Sequence, residues 1–174
     1  MLDQIVIRPT SPDELEQLRA LAEETFVEAF GHLNKKVDME AYVQAKLSLE
    51  HIEGEYHDPH SRFFFATLHD KVIAYLKINV ESAQSERLLN DAMEIERIYV
   101  KSMYQSKKVG VQLLHFALDI ARREHYKYAW LGVWDQNLRA IEFYRKHGFQ
   151  RFDSHQFFLG QDEQTDILMK KEVG

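Results

Sequence analysis

The chain contains no cysteine. That absence excludes disulfides, thiolate metal sites and an acyl-cysteine intermediate, so any acyl transfer must be direct or use another nucleophile. Proline and glycine are sparse, at three and seven residues of 174, and no repeat, low-complexity tract or proline-rich linker divides the sequence. No apolar run is long enough to cross a bilayer, and the opening MLDQIVIRPTSP lacks the basic and apolar regions of a secretory signal. A cytoplasmic protein with no membrane partner is expected. Cations are also in deficit: 22 Lys and Arg face 28 Asp and Glu, a formal charge of −6. That sign argues against nucleic acid as a partner and mildly favours small cationic ones. What is present suits one domain over residues 1–174, since 45% of the residues are hydrophobic and can form a full-sized core.

Strand and helix signals alternate along the chain, which points to a mixed α/β fold. Ile5 to Arg8 is a short apolar run. Ser11 and Glu14 form a capping box around Pro12, opening a helix whose Leu15, Leu18, Leu21 and Ala22 share a face. A second helical signal runs from about Met39 to Leu49. Arg62 to Leu68 and Val72 to Val80 read as an antiparallel hairpin broken at His69 to Lys71, and Glu81 to Asp91 as an exposed acidic loop. Gly110 to Glu124 is amphipathic, Tyr128 to Trp134 reads as a strand, and Phe149 to Leu159 and Asp166 to Lys171 are two further strand candidates. His51, His57, His60 and His69 have no recognised zinc spacing, three of them fall in apparent loop, and all read as surface residues. Phe63 to Phe65 and Phe157 to Phe158 read as core or interface, the latter strand offering a homodimer contact.

The strand Met93 to Val100 contains a parity conflict. Met93 and Ile95 point to one side of a regular strand, Ile98 and Val100 to the other. Keeping all four on the core requires one extra residue, a β-bulge at Glu96 and Arg97. The alternative is a regular strand with Tyr99 facing the core. A bulge releases backbone groups from the ladder and splays the neighbouring strand, leaving a slot for an extended amide chain.

The segment YQSKKVGVQLL (Tyr104 to Leu114) then opens a helix with a basic, glycine-bearing turn. Free N–H groups, a positive helix end and the charges of Lys107 and Lys108 suit a phosphate there. Downstream, Asn137 heads a helix that carries Tyr144 seven residues later on nearly the same face, and Gly148 closes it.

At these residues the chain resembles the GCN5-related N-acetyltransferase family. QSKKVG (Gln105 to Gly110) is similar to the family's pyrophosphate signature, with Lys108 where the first glycine is usual and Gly110 at the second. NLRAIEFYRKHGF (Asn137 to Phe149) is similar to its closing segment. TFVEAFGHLN (Thr25 to Asn34) more loosely resembles bacterial spermidine/spermine N-acetyltransferases. The resemblance implies a single domain with a central, mostly antiparallel twisted sheet, a bulged and splayed central strand, and flanking helices. It implies acetyl-CoA as acetyl donor. Ile98, Tyr99 and Val100 are expected to meet pantetheine, Gln105, Ser106, Lys107, Lys108, Val109, Gly110 and Val111 the diphosphate, and Asn137 and Tyr144 the cofactor arm. A lysine side chain at 108 can obstruct the cradle or point away and leave its N–H available.

An amine must lose a proton before attacking a thioester, and a carboxylate can accept it directly or through one water. Glu94 and Glu96 are the candidates, with Glu96 preferred at the bulge; the bland alternative is a solvated strand residue or a pair with Arg97. Tyr144 is the expected proton donor to the thiolate, or else a core aromatic beside Ile141 and Phe143. A small cationic amine, spermidine or spermine among them, is the expected acceptor. The alternatives are a protein N-terminus or lysine, or a non-catalytic CoA-binding sensor. Glu50, Glu53, Glu55 and Asp58 are read as a loop that attracts a polycation.

Overall fold

In the computed structural model, which describes residues 4–174, seven strands form one sheet in the order β1-β2-β3-β4-β5-β7-β6. The strands are β1 (Ile5–Pro9), β2 (Ser61–Leu68), β3 (Lys71–Asn79), β4 (Ala92–Val100), β5 (Tyr128–Trp134), β6 (Gln150–Leu159) and β7 (Asp162–Glu172). Every neighbouring pair is antiparallel except β4 with β5. The helices are α1 (Leu15–Phe30), α2 (Lys36–Lys46), α3 (Leu49–His57), α4 (Val109–Arg123) and α5 (Leu138–Lys146). This is the mixed α/β architecture expected, with an apolar core on each face of the sheet. One core joins α4 to β2, β3, β4 and β5 through Leu113, Leu114, Ala117, Leu76 and Ile95; the other joins α1 and α3 through Leu18, Phe26, Ile52, Phe65 and Tyr75.

Local chemistry accounts for the boundaries. The Ser11–Glu14 capping box is formed, and Pro12 starts a single 3-10 turn that runs into α1. The β2–β3 hairpin turns on His69 and Asp70, both with positive φ, so Lys71 belongs to β3 rather than to the turn. At the β6–β7 tip Gly160 has φ +61, and a Cβ there would lie 2.6 Å from the Cα of Asp38 on α2. Only glycine lets that tip close against the helix.

Four readings need correction. The helical signal at 39–49 is two helices, because Ser48 caps α3 by accepting from the His51 N–H at 3.2 Å. Glu50, Glu53 and Glu55 therefore lie on α3 and not in a loop, as do His51 and His57. Residues 81–91 are more than an exposed loop: Ser85 binds Glu94 through both its N–H and its hydroxyl, and Gln84 accepts from the Trp130 indole at 2.8 Å. Finally, β7 begins at Asp162 rather than Asp166, since its first four residues pair with β6 to complete the hairpin.

Candidate active site

The site begins where β4 leaves β5. The two strands pair only at Ala92 with Tyr128, Met93 with Ala129 and Glu94 with Trp130, then diverge. On its other edge β4 follows β3, but the register steps from Lys77–Arg97 to Ile78–Ile95 and leaves Glu96 without a partner position. This is the bulge that the parity conflict demanded. Met93 and Ile95 are buried in the α4-side core, Ile98 and Val100 pack against the same core, and Tyr99 turns to the opposite one.

Between the diverging strands lies a cleft of about 90 Å³ lined by Ile98, Tyr99, Trp134, Asn137 and Tyr144 among others. Asn137 caps α5 by accepting from the Ala140 N–H at 3.2 Å. Two turns along α5, Tyr144 reaches the same cleft, and burial pushes its phenol up to about 12. The group is thus a neutral O–H donor at physiological pH.

Below the cleft a 3-10 turn, Ser102 to Lys107, leads into α4. Lys108, the residue before the helix, has φ +60, the left-handed region that favours glycine. The lysine keeps the backbone geometry, and its side chain is exposed to solvent. At Gly110 a Cβ would meet nothing within 4 Å, so the first turn of α4 is open at that position. Glu28 of α1 fixes the start of the turn by accepting from the Ser102 N–H at 3.1 Å and its hydroxyl at 2.5 Å. The turn, the cleft and the unpaired edge of β4 fit a diphosphate followed by an extended amide arm.

On the other side of the bulge opens a larger cavity of about 550 Å³. Phe26, Phe30, Tyr42, Trp134 and Phe157 supply aromatic wall, and Glu86, Glu94, Glu96 and Asp166 supply carboxylates. Asn79 donates to Glu94 at 2.9 Å and to Glu96 at 2.8 Å, bridging the two. Their proton affinities diverge. Burial, and then the charge of Glu96, raises Glu94 against the opposing bonds from Ser85 and Asn79. Burial also acts to raise Glu96, but Arg97 and Lys77 outweigh it and hold that carboxyl at about 2.

Residues 15–149 match the Acetyltransferase (GNAT) family. The chain belongs to that family. It is 37% identical over 169 residues to an N-acetyltransferase of Lactobacillus delbrueckii subsp. lactis, covering 97% of this chain and 98% of that one. It is 26% identical over 172 residues to the spermidine N(1)-acetyltransferase of Thermoplasma acidophilum, covering 97% of each. The crystal structure of the PaiA N-acetyltransferase from Thermoplasma acidophilum in complex with coenzyme A shares the fold, with a TM-score of 0.78 at 24% identity and coverage of 97% of this chain and 99% of that one. The protein is an acetyl-CoA-dependent N-acetyltransferase.

Within this acetyltransferase, Ile98, Tyr99, Asn137 and Tyr144 converge on the narrow cleft; Val100 follows on the same strand outside its lining, and Gln105 to Val111 form the turn and first helical residues below it. Gln105 also donates from its side chain to the Val100 carbonyl at 3.3 Å, tying turn to strand. Glu94 and Glu96 face the larger cavity. Phe157 packs against the α1-side core, as its sequence reading expects, and lines that cavity as well. Lys77, Asn79, Ser85, His155 and Asp166 were not singled out from sequence. A signal existed for two of them: Lys77 and Asn79 are polar interruptions in an otherwise apolar strand, and both are buried, at 3% and 0% exposure. Among the described residues no group of three or more His, Asp and Glu side chains is placed to hold a metal ion, and no helix is long and apolar enough to cross a membrane.

Proposed function

We propose that this acetyltransferase acetylates a small polyamine, spermidine or spermine, by direct transfer within a ternary complex. The cavity beside the bulge carries the proposal: it is of small-molecule size, has aromatic walls for an alkyl chain and bears four carboxylates. Its basic groups are Lys46 at the rim, His155, which is raised by and shared between Asp166 and Glu86, and Arg97, whose guanidinium is engaged by Glu55 and Glu96. The similarity to a spermidine N(1)-acetyltransferase supports the same chemistry. The source of the attraction differs from the sequence reading, because Glu55 points under the sheet into ion pairs and not toward an acceptor.

In this reading Gln105 to Val111 hold the diphosphate and the freed backbone of Ile98 to Val100 orients the amide arm and thioester carbonyl. Glu96 was the preferred base, but a carboxylate held at about 2 is a weak proton acceptor. We assign it to anchoring the ammonium or its relay water, and assign the proton to Glu94, whose raised affinity suits the task. Tyr144 donates its proton toward the departing sulfur. Acetyl-CoA supplies the activated acetyl group.

The test is release of free CoA across an amine panel at low and moderate ionic strength. Spermidine or spermine should give a higher kcat/KM than a monoamine of similar length, and added salt should narrow the gap. Equal or lower kcat/KM for the polyamines at low salt defeats the acceptor assignment. Acceptor-independent binding without turnover would instead identify a CoA-binding sensor.

A further inference from the structure

Beneath the acceptor cavity the β4 bulge rests on a closed square of charges. Lys77, on β3, meets Glu55 and reaches Glu96 at 2.9 Å. Arg97 places Nη1 and Nη2 on the two oxygens of Glu55 at 3.2 and 2.9 Å, and its Nε on Glu96 at 2.9 Å. Two cations and two anions therefore alternate. Three of the four come from β3 and β4 at the bulge itself. The fourth, Glu55, is delivered by α3, a helix that contributes no residue to the cavity lining.

We propose that Glu55 is a positioning residue for acetyl transfer, balancing Lys77 and Arg97 so that the Glu94–Glu96 pair presents its negative field to a cationic amine. Without Glu55 two buried cations would face one carboxylate, and a net positive charge would lie just behind the place where the ammonium docks. In a poorly solvated site that charge is weakly screened. It would repel the acceptor and lower the raised proton affinity that suits Glu94 to accept the amine proton. The bidentate grip also fixes the plane of the Arg97 guanidinium, and with it the position of the positive charge beside Glu96.

Other groups face the square from each element packed on it. His51 of α3 lies 3.9 Å from Glu55, Asn79 bridges Glu94 and Glu96, and the hydroxyls of Tyr42, Tyr75 and Tyr99, with Asp166 on β7, lie within electrostatic range. The tyrosines are raised by burial and stay neutral through the working range. The inference rests on the amine entering this cavity, and not on the amine being a polyamine.

Three variants test it: Glu55→Gln, Lys77→Met and the neutral pair carrying both. They are assayed with acetyl-CoA and whichever amine of the panel turns over best. Glu55→Gln should raise KM for the amine roughly tenfold while KM for acetyl-CoA moves less than about twofold. Its acidic limb of kcat/KM should move to lower pH, Lys77→Met should move that limb the opposite way, and the pair should return toward wild type. The amine's own ionisation is common to all four proteins and cancels. Carbon-13 titration of the glutamate carboxyls reads Glu94 directly, without turnover, and should show the same three shifts. If Glu55→Gln does not fold, the sign in Lys77→Met and the return in the neutral pair carry the test. A parallel rise in both KM values, an unshifted Glu94, or shifts of one sign in both single variants would overturn the proposal. Failure of every amine to turn over would strike the acceptor reading, while the titration still judges the charge balance.

Discussion

Tyr144 and Glu96 are both poorly solvated, yet they sit at opposite ends of the proton-affinity scale. Burial alone acts on the phenol and pushes it up to about 12, whereas at Glu96 the charges of Arg97 and Lys77 overcome burial and bring the carboxyl to about 2. Tyr144→Phe should leave acetyl-CoA affinity nearly intact and lower kcat by roughly 10²-fold, measured by calorimetry and steady-state turnover. Glu94→Gln should remove the acidic limb of the kcat/KM profile, since wild-type activity falls as Glu94 takes up its proton at a raised pKa. A limb that persists would clear Glu94 of the role. Glu96 makes a stability prediction whose sign follows from its depressed pKa. Its stabilisation is complete above the ordinary 4.5 and is lost as pH falls toward about 2. Glu96→Gln should therefore cost ~3–5 kcal/mol at neutral pH by leaving two buried cations to share the one carboxylate of Glu55, a penalty that shrinks on acidification in urea titrations.

Single elements carry the next set of outcomes. The first turn of α4 has open space at Gly110, so Gly110→Glu should fold and yet weaken acetyl-CoA binding strongly, because bulk and negative charge enter where the diphosphate is proposed to sit. An unchanged calorimetric affinity would remove the turn from the site. Gly160→Ala should destabilise by ~1–3 kcal/mol in denaturant unfolding, through its positive φ and the contact with Asp38. Elements of this kind were readable from sequence where the pattern was local. The parity break in β4 gave the bulge, the Ser11–Glu14 box gave the start of α1, and Asn137 with Gly148 bracketed α5. What escaped was set by distant packing. The break between α2 and α3 hinges on the buried Leu47 and one serine cap, and the surroundings of Glu94 depend on Ser85, nine residues away across a turn. Proton affinities were unreadable for the same reason: nothing adjacent in sequence reveals that Glu55 lies beneath Arg97.

At the scale of the whole molecule, the formal charge of −6 understates the local arrangement. Many of the acidic side chains are neutralised in pairs such as Arg8 with Glu14 and Arg62 with Glu124, while Glu86 and Asp166 flank His155 at the cavity proposed to take the acceptor. The steering of a polycation should therefore depend on these few carboxylates, and its salt sensitivity should survive neutralisation of exposed acids elsewhere. Glu16→Gln is a suitable control, measured as the ionic-strength slope of kcat/KM.

The three-position junction between β4 and β5 has a mechanical meaning as well. It is a seam dividing the sheet into a four-strand panel and a three-strand panel, stitched along one end and open along the other. A ligand whose amides bond along the open edge would act as a clasp, so the cosubstrate should stiffen the protein more than its contact area suggests. Hydrogen–deuterium exchange can detect this: without acetyl-CoA the amides of Ile98 to Val100 should exchange ahead of Ile73 to Leu76 on the neighbouring strand, and with it the lag should vanish. Protection confined to residues 105–111 would mean that the clasp holds the thread and leaves the seam open.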